Sequence, residues 1–133
     1  MDFDDKRLIE LAKSASVKAY APYSKFSVGC AIVSNTGQVY SACNVENISF
    51  GLTICAERAA ITKAISDEGP GFMINRVVIY TATENPVTPC GACRQVLREF
   101  GNDFEILSTC DSKKEIRMHI DELLPNSPDI KFD

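Results

Sequence analysis

The sequence has no apolar run long enough to cross a membrane, no cluster of lysines and arginines, and a single histidine. The first absence leaves no candidate transmembrane helix. The second removes the basic patch with which proteins hold a polynucleotide backbone, and 18 acidic against 14 basic residues give a formal charge of −4 that would weakly repel one. Nucleic acid and membrane are therefore not expected as partners. Residues Met1 to Arg7 open acidic and run into an amphipathic pattern, without the basic start and apolar stretch of a secretory signal, so a cytoplasmic protein is expected. Seven glycines and six prolines in 133 residues are too few for disorder or low complexity. No repeat or linker interrupts the chain, and its length fits one domain over residues 1–133.

What is present reads as alternating helices and strands. Leu8, Leu11, Ala12, Ala15 and Ala19 recur at helical spacing and predict a helix from Asp5 to Tyr20, ended by Ala21-Pro22-Tyr23. Phe26 to Ser34 and Gln38 to Cys43, rich in Val, Ile and Tyr and separated by Asn35-Thr36-Gly37, predict a β-hairpin. A second helix is expected over Cys55 to Asp67, a strand over Arg76 to Ala82, a third helix over Cys90 to Phe100 and a strand over Phe104 to Thr109. A short strand beginning at Ile116 and a turn of helix at Asp121 to Leu124 complete the pattern. This order favours an α/β fold, a mixed sheet with helices on its faces, because a parallel strand pair needs a helical crossover.

The six cysteines carry the chemistry. In a reducing compartment thiols or metal ligands are expected, not disulfides. Pro89-Cys90-Gly91-Ala92-Cys93 is a C-x-x-C at a helix start, where both sulfurs share one face and can share one ion. Taken alone it fits a redox dithiol, half of a structural zinc site or half of a catalytic one. A structural site would normally show a second C-x-x-C or a histidine pair. The lone His119 lies in a polar C-terminal stretch and reads as a surface residue. The other candidate is Cys55-Ala56-Glu57-Arg58, which puts a thiol and a carboxylate two residues apart at the start of another helix, where both can reach in front of its end. Cys55, Cys90 and Cys93 would give zinc three protein ligands and leave a fourth position for water, as catalytic zinc requires. Cys30, Cys43 and Cys110 sit in strand-like surroundings and read as small apolar core residues.

Cys55-x-Glu57 followed by Pro89-Cys90-x-x-Cys93 is the all-cysteine form of the zinc nucleobase deaminase signature. With Ala21-Pro22-Tyr23-Ser24-Lys25-Phe26, Asn44-Val45-Glu46-Asn47, Arg94-Gln95 and Glu122-Leu123-Leu124-Pro125, the sequence resembles the short-chain, homotetrameric cytidine deaminases over nearly its whole length. That resemblance implies a three-layer α/β/α sandwich around a central mixed sheet of about five strands. It also implies one Zn2+ per subunit and hydrolysis of cytidine and 2′-deoxycytidine to uridine and 2′-deoxyuridine in pyrimidine salvage.

The resemblance assigns roles residue by residue. Glu57 would carry protons from the attacking water to N3 of the pyrimidine and on to the departing amine, and Arg58 would donate hydrogen bonds to ligand sulfurs. Asn44 and Glu46 would grip the ribose, chiefly its 3′-hydroxyl, Phe26 would stack on the base, and the backbone of Cys55 and Ala56 would meet the base edge. Taken without the family, Phe26 reads as core and the Asn44 to Glu46 stretch as a strand-end turn with a solvated carboxylate. Phe50 stands where many relatives carry tyrosine, and Phe132 resembles a terminal aromatic that reaches a neighbouring subunit's site. The competing expectations are a deaminase for another aminated base or a nucleoside-like antibiotic, an editor of cytosine in polynucleotides, and a non-catalytic zinc module in which Glu57 is only a charge at a helix start.

Overall fold

A computed structural model describes residues 4–128 and 132. The first helix, α1, spans Asp5–Ser16; Asp4 caps it by accepting a hydrogen bond from the Arg7 amide at 2.8 Å, and Leu8 and Ala12 form its buried stripe. It stops at Ser16, four residues before the expected end. The Ser16 hydroxyl bonds the Lys13 carbonyl, and the amides of Lys18 and Ala19 close tighter turns onto Ala15 and Ser16. Tyr20 has by then left the helix and pairs with Val45, its amide donating to the Asn44 carbonyl at 3.1 Å. Bonding to a distant segment outweighs the helical periodicity of Ala15 and Ala19.

The strands are β1 (Val28–Ser34), β2 (Val39–Cys43), β3 (Ile74–Thr81), β4 (Glu105–Thr109) and β5 (Ile116–His119), in the sheet order β2-β1-β3-β4-β5. The expected hairpin is present, with Gly37 at φ 90° in its turn; its first strand starts at Val28, two residues after Phe26. Among the five described strands only the neighbours β3 and β4 pair in parallel, and the helix α3 (Gly91–Arg98) makes the crossover between them. The helix α2 (Ala56–Glu68) follows a single 3₁₀ turn at Phe50–Leu52, and α4 (Ile120–Leu123) follows β5.

Alternation along the strands divides the core in two. Ala31, Val33, Val78, Tyr80 and Leu107 face α1, while Cys30, Ile32, Val77, Ile79 and Ile106 face α2, α3 and α4. The result is the three-layer α/β/α sandwich with a five-stranded mixed sheet. At Gly29 the layers nearly touch: a Cβ there would lie 1.7 Å from the Ala12 carbonyl oxygen, so α1 rests its main chain directly on β1. No helix among the described residues is long and apolar enough to cross a membrane.

Candidate active site

Two helices begin at the same place. Cys55 is the N-cap of α2 and Cys90 the N-cap of α3, both in extended backbone, and Cys93 is buried in the first turn of α3. Their three sulfurs lie within 4.8 Å of one another and could hold a metal ion. Soft thiolate donors suit zinc over oxygen-seeking cations, and the helix N-termini favour the anionic form that binds metal. Arg58 adds positive charge, its Nη2 donating to Cys55 Sγ at 3.4 Å and to the Thr53 carbonyl at 3.2 Å. Hydrogen bonding from the Cys93 thiol and then from Arg58 pulls the Cys55 thiol down to about 5, whereas the bond to Cys55 and burial push the Cys93 thiol up. Metal binding requires these thiols as thiolates and so releases their protons. The donor set, its spacing and its charge all fit zinc. His119 is not among these residues: half-buried, it caps α4 and sits 2.8 Å from Asp103.

Glu57, the second residue of α2, is only 5% exposed. Burial pushes its carboxyl up to about 7, and the charge on Cys55 adds to the effect. A group poised near neutrality can take up a proton and return it, which is what general acid/base work demands.

A cavity of about 580 Å³ opens over these groups and brings Phe26, Asn44, Glu46, Ala56 and Glu57 to one hollow with Cys55 and Cys90. Its size suits a small molecule of nucleoside dimensions. Phe26 is half-buried on the cavity wall, not in the core. Asn44 is buried, its Oδ1 accepting from the Val28 amide and its Nδ2 donating to the Phe26 carbonyl, each at 2.9 Å. The Glu46 carboxylate accepts from the amides of Tyr23 and Ser24 and from the Ser24 hydroxyl. Both side chains line the cavity while fastening the segment that carries Phe26.

Thr53, Val87, Thr88 and Arg94 also line the cavity, although no motif role marks them in the sequence. Arg94 Nε donates to the Pro89 carbonyl at 2.7 Å, Nη2 to Thr88 Oγ1 and Nη1 to the Leu123 carbonyl, bracing the loop before Cys90 against α4. Its place directly after the C-x-x-C was the available signal. Val87 and Thr88 carry none, being loop residues brought in by the fold. Phe50 is exposed, its ring 5.8 Å from that of Tyr23, beside a second hollow of about 420 Å³ that shares Ser24, Glu46 and Thr53 with the first. Phe132 is 89% exposed. Cys30 is core as expected. Cys43 is only half-buried, and Cys110 is more than an apolar filler, its sulfur lying 3.2 Å from the Glu84 carbonyl.

Residues 3–108 match the family model for the cytidine and deoxycytidylate deaminase zinc-binding region. A cytidine deaminase from Sporosarcina psychrophila is 50% identical over 99 residues, covering 74% of this chain and 71% of the relative. A probable cytidine deaminase from Dictyostelium discoideum is 40% identical, covering 90% and 80%. The crystal structure of a cytidine deaminase from Burkholderia pseudomallei superposes with a TM-score of 0.88 at 42% identity, covering 94% of this chain and 99% of that one.

Proposed function

This chain belongs to the cytidine and deoxycytidylate deaminase family, and from that membership we infer that it is a zinc-dependent cytidine deaminase, hydrolysing cytidine to uridine with release of ammonia. We extend the reading to 2′-deoxycytidine. The observation that carries it is the buried carboxylate of Glu57 in one cavity with Cys55 and Cys90, whose sulfurs converge with that of Cys93.

Cys55, Cys90 and Cys93 hold one zinc per subunit, which when bound supplies the Lewis acidity that makes water nucleophilic at neutral pH. Glu57 takes the proton of the attacking water and passes it to N3 of the pyrimidine, then transfers the second to the amine leaving C4, so that water is consumed and ammonia released in balance. Arg58 offsets the negative charge of the thiolates. Phe26 stacks on the ring, the main chain of Cys55 and Ala56 meets the base edge, and Asn44 and Glu46 take the sugar. Their shared place on the cavity wall supports these roles.

We further propose a homotetramer working in the cytoplasm in pyrimidine salvage. Val45, Ile48, Phe50, Leu52 and Ile54 expose apolar side chains along the stretch leading to α2, which supports burial of this surface against other copies. Phe50, and Phe132 with it, would then reach a neighbouring subunit's pocket.

Loss of ultraviolet absorbance with cytidine, cytosine and a cytosine-containing oligonucleotide tests the reading, alongside metal analysis and a chelator. Turnover is expected for cytidine alone, with about one zinc per chain, abolished on chelation and restored by zinc. Full activity without metal, or preference for the oligonucleotide, would overturn it, and a fully active monomer by light scattering would overturn the assembly.

A further inference from the structure

Residues 23–27 precede β1 outside the sheet strands, with main-chain bonds from the Lys25 amide to the Ala21 carbonyl and from the Ala82 amide to the Ser27 carbonyl, and Lys25 sits at φ 60°, a conformation unfavourable for a side chain with a Cβ. Side chains add further bonds that hold this segment in place. The Phe26 amide donates to Ser24 Oγ at 3.0 Å, the Ser24 hydroxyl donates to Glu46 Oε2, and the amides of Tyr23 and Ser24 donate to Glu46 Oε1 at 3.0 and 3.1 Å. On its other side the Phe26 carbonyl accepts from Asn44 Nδ2.

The acceptor count of Glu46 gives this arrangement a consequence. An ionised carboxylate has about four acceptor positions. Two amides occupy Oε1 and the Ser24 hydroxyl occupies one position on Oε2, which among the described residues leaves one acceptor, on Oε2, in a cavity wall that Ser24 shares. The Ser24 hydroxyl has a single proton, and with Phe26 already donating to it, that proton is committed to Glu46. The Ser24 bond also holds the Glu46 carboxyl below its usual range, so the acceptor is ionised at neutral pH.

We propose that Ser24 is a positioning and specificity-determining residue: its hydroxyl aims the last free acceptor of Glu46 at a sugar hydroxyl of the nucleoside and, through the Phe26 amide, ties that orientation to the placement of the stacking ring. Recognition of sugar and of base becomes one event. The proposal rests on the reading that Glu46 receives the sugar.

The test measures kcat and KM for cytidine and 3′-deoxycytidine with the zinc-loaded wild type, Ser24→Ala and Ser24→Thr, together with zinc content and melting temperature. In Ser24→Ala, kcat/KM for cytidine is expected to fall about tenfold, mainly through KM, as for a lost charge-assisted hydrogen bond. For 3′-deoxycytidine it should fall no more than about threefold, so that the preference between the two collapses. Ser24→Thr, which keeps the hydroxyl, should restore the preference with melting temperature unchanged, and both variants should keep their zinc. An unaltered preference in Ser24→Ala, or an equal loss on both substrates, overturns the role of Ser24 alone. A wild type without preference overturns the sugar role of Glu46 and this proposal with it.

Discussion

Arg58 Nη2 stands 3.4 Å from Cys55 Sγ, three residues after the cysteine that caps α2, so the guanidinium folds back over the end of its own helix. Its bond to the Thr53 carbonyl fixes that direction. Three thiolates around a dication would leave a net negative charge, and the bond to Cys55 places Arg58 where it could relieve it. Arg58→Gln is expected to weaken zinc binding about 10–100-fold, the usual range for partners of metal ligands, and to lower kcat as well. Arg58→Lys should recover only part, since an ammonium lacks the planar fork. Competition with a chelator reads the first effect and steady-state kinetics the second; wild-type values in Arg58→Gln would remove the assignment.

Glu57→Gln separates an enzyme from a metal-binding module. The amide has almost the same shape and cannot carry a proton, so zinc content and folding should persist while kcat falls about 10²–10⁴-fold, the span typical of a lost general acid/base. Activity within a few-fold of wild type would show that Glu57 is not the proton carrier.

The convergence of the candidate residues was legible because their motifs are local in sequence. A thiol at each of two helix starts and a carboxylate two residues beyond the first specify Cys55, Glu57, Cys90 and Cys93 with little help from the fold. The sheet was legible for a similar reason, since the crossover through α3 forces β3 and β4 to run parallel. The early end of α1 was not, because Tyr20 is captured by Asn44 and Val45, whose proximity no periodicity reports. The double duty of Asn44 and Glu46 was hidden in the same way: each bonds a segment 16 to 23 residues away in sequence. Arg94, by contrast, lay next to a motif already identified.

Tyr40 gives the fold a dependence on acid. Its hydroxyl lies 2.6 Å from Asp67 and 2.7 Å from Glu68 at the end of α2, and Glu68 also accepts from Ser34 and Thr36 across the hairpin turn. The Tyr40 bond, with those of Ser34 and Thr36, lowers the Glu68 carboxyl below its ordinary 4.5. A carboxyl lowered on folding contributes stability that is present above its unfolded value and lost as pH falls through the folded one. Urea unfolding should therefore show wild type losing more stability than Glu68→Gln as pH drops below about 4.5. Parallel pH profiles would show that the cluster contributes nothing through ionisation.

Gly29 sets the distance between α1 and the sheet, and a single methyl group tests it. A Cβ at this position would fall 1.7 Å from the Ala12 carbonyl oxygen, 2.8 Å from its carbon and 2.9 Å from the Ser16 amide nitrogen, all of them main-chain atoms that no rotamer change can move aside. Gly29→Ala must push α1 off β1, loosening the packing of Leu8 and Ala12 on Ala31 and Val78. The cost is expected to reach the upper range for overpacking, about 3 kcal/mol or more. Gly71→Ala is the control, because a Cβ there meets nothing within 4 Å, and its effect should stay within about 0.5 kcal/mol. The two can be compared by urea unfolding of the zinc-loaded protein. If Gly29→Ala proves as harmless as Gly71→Ala, the direct seating of the helix main chain on the strand is wrong.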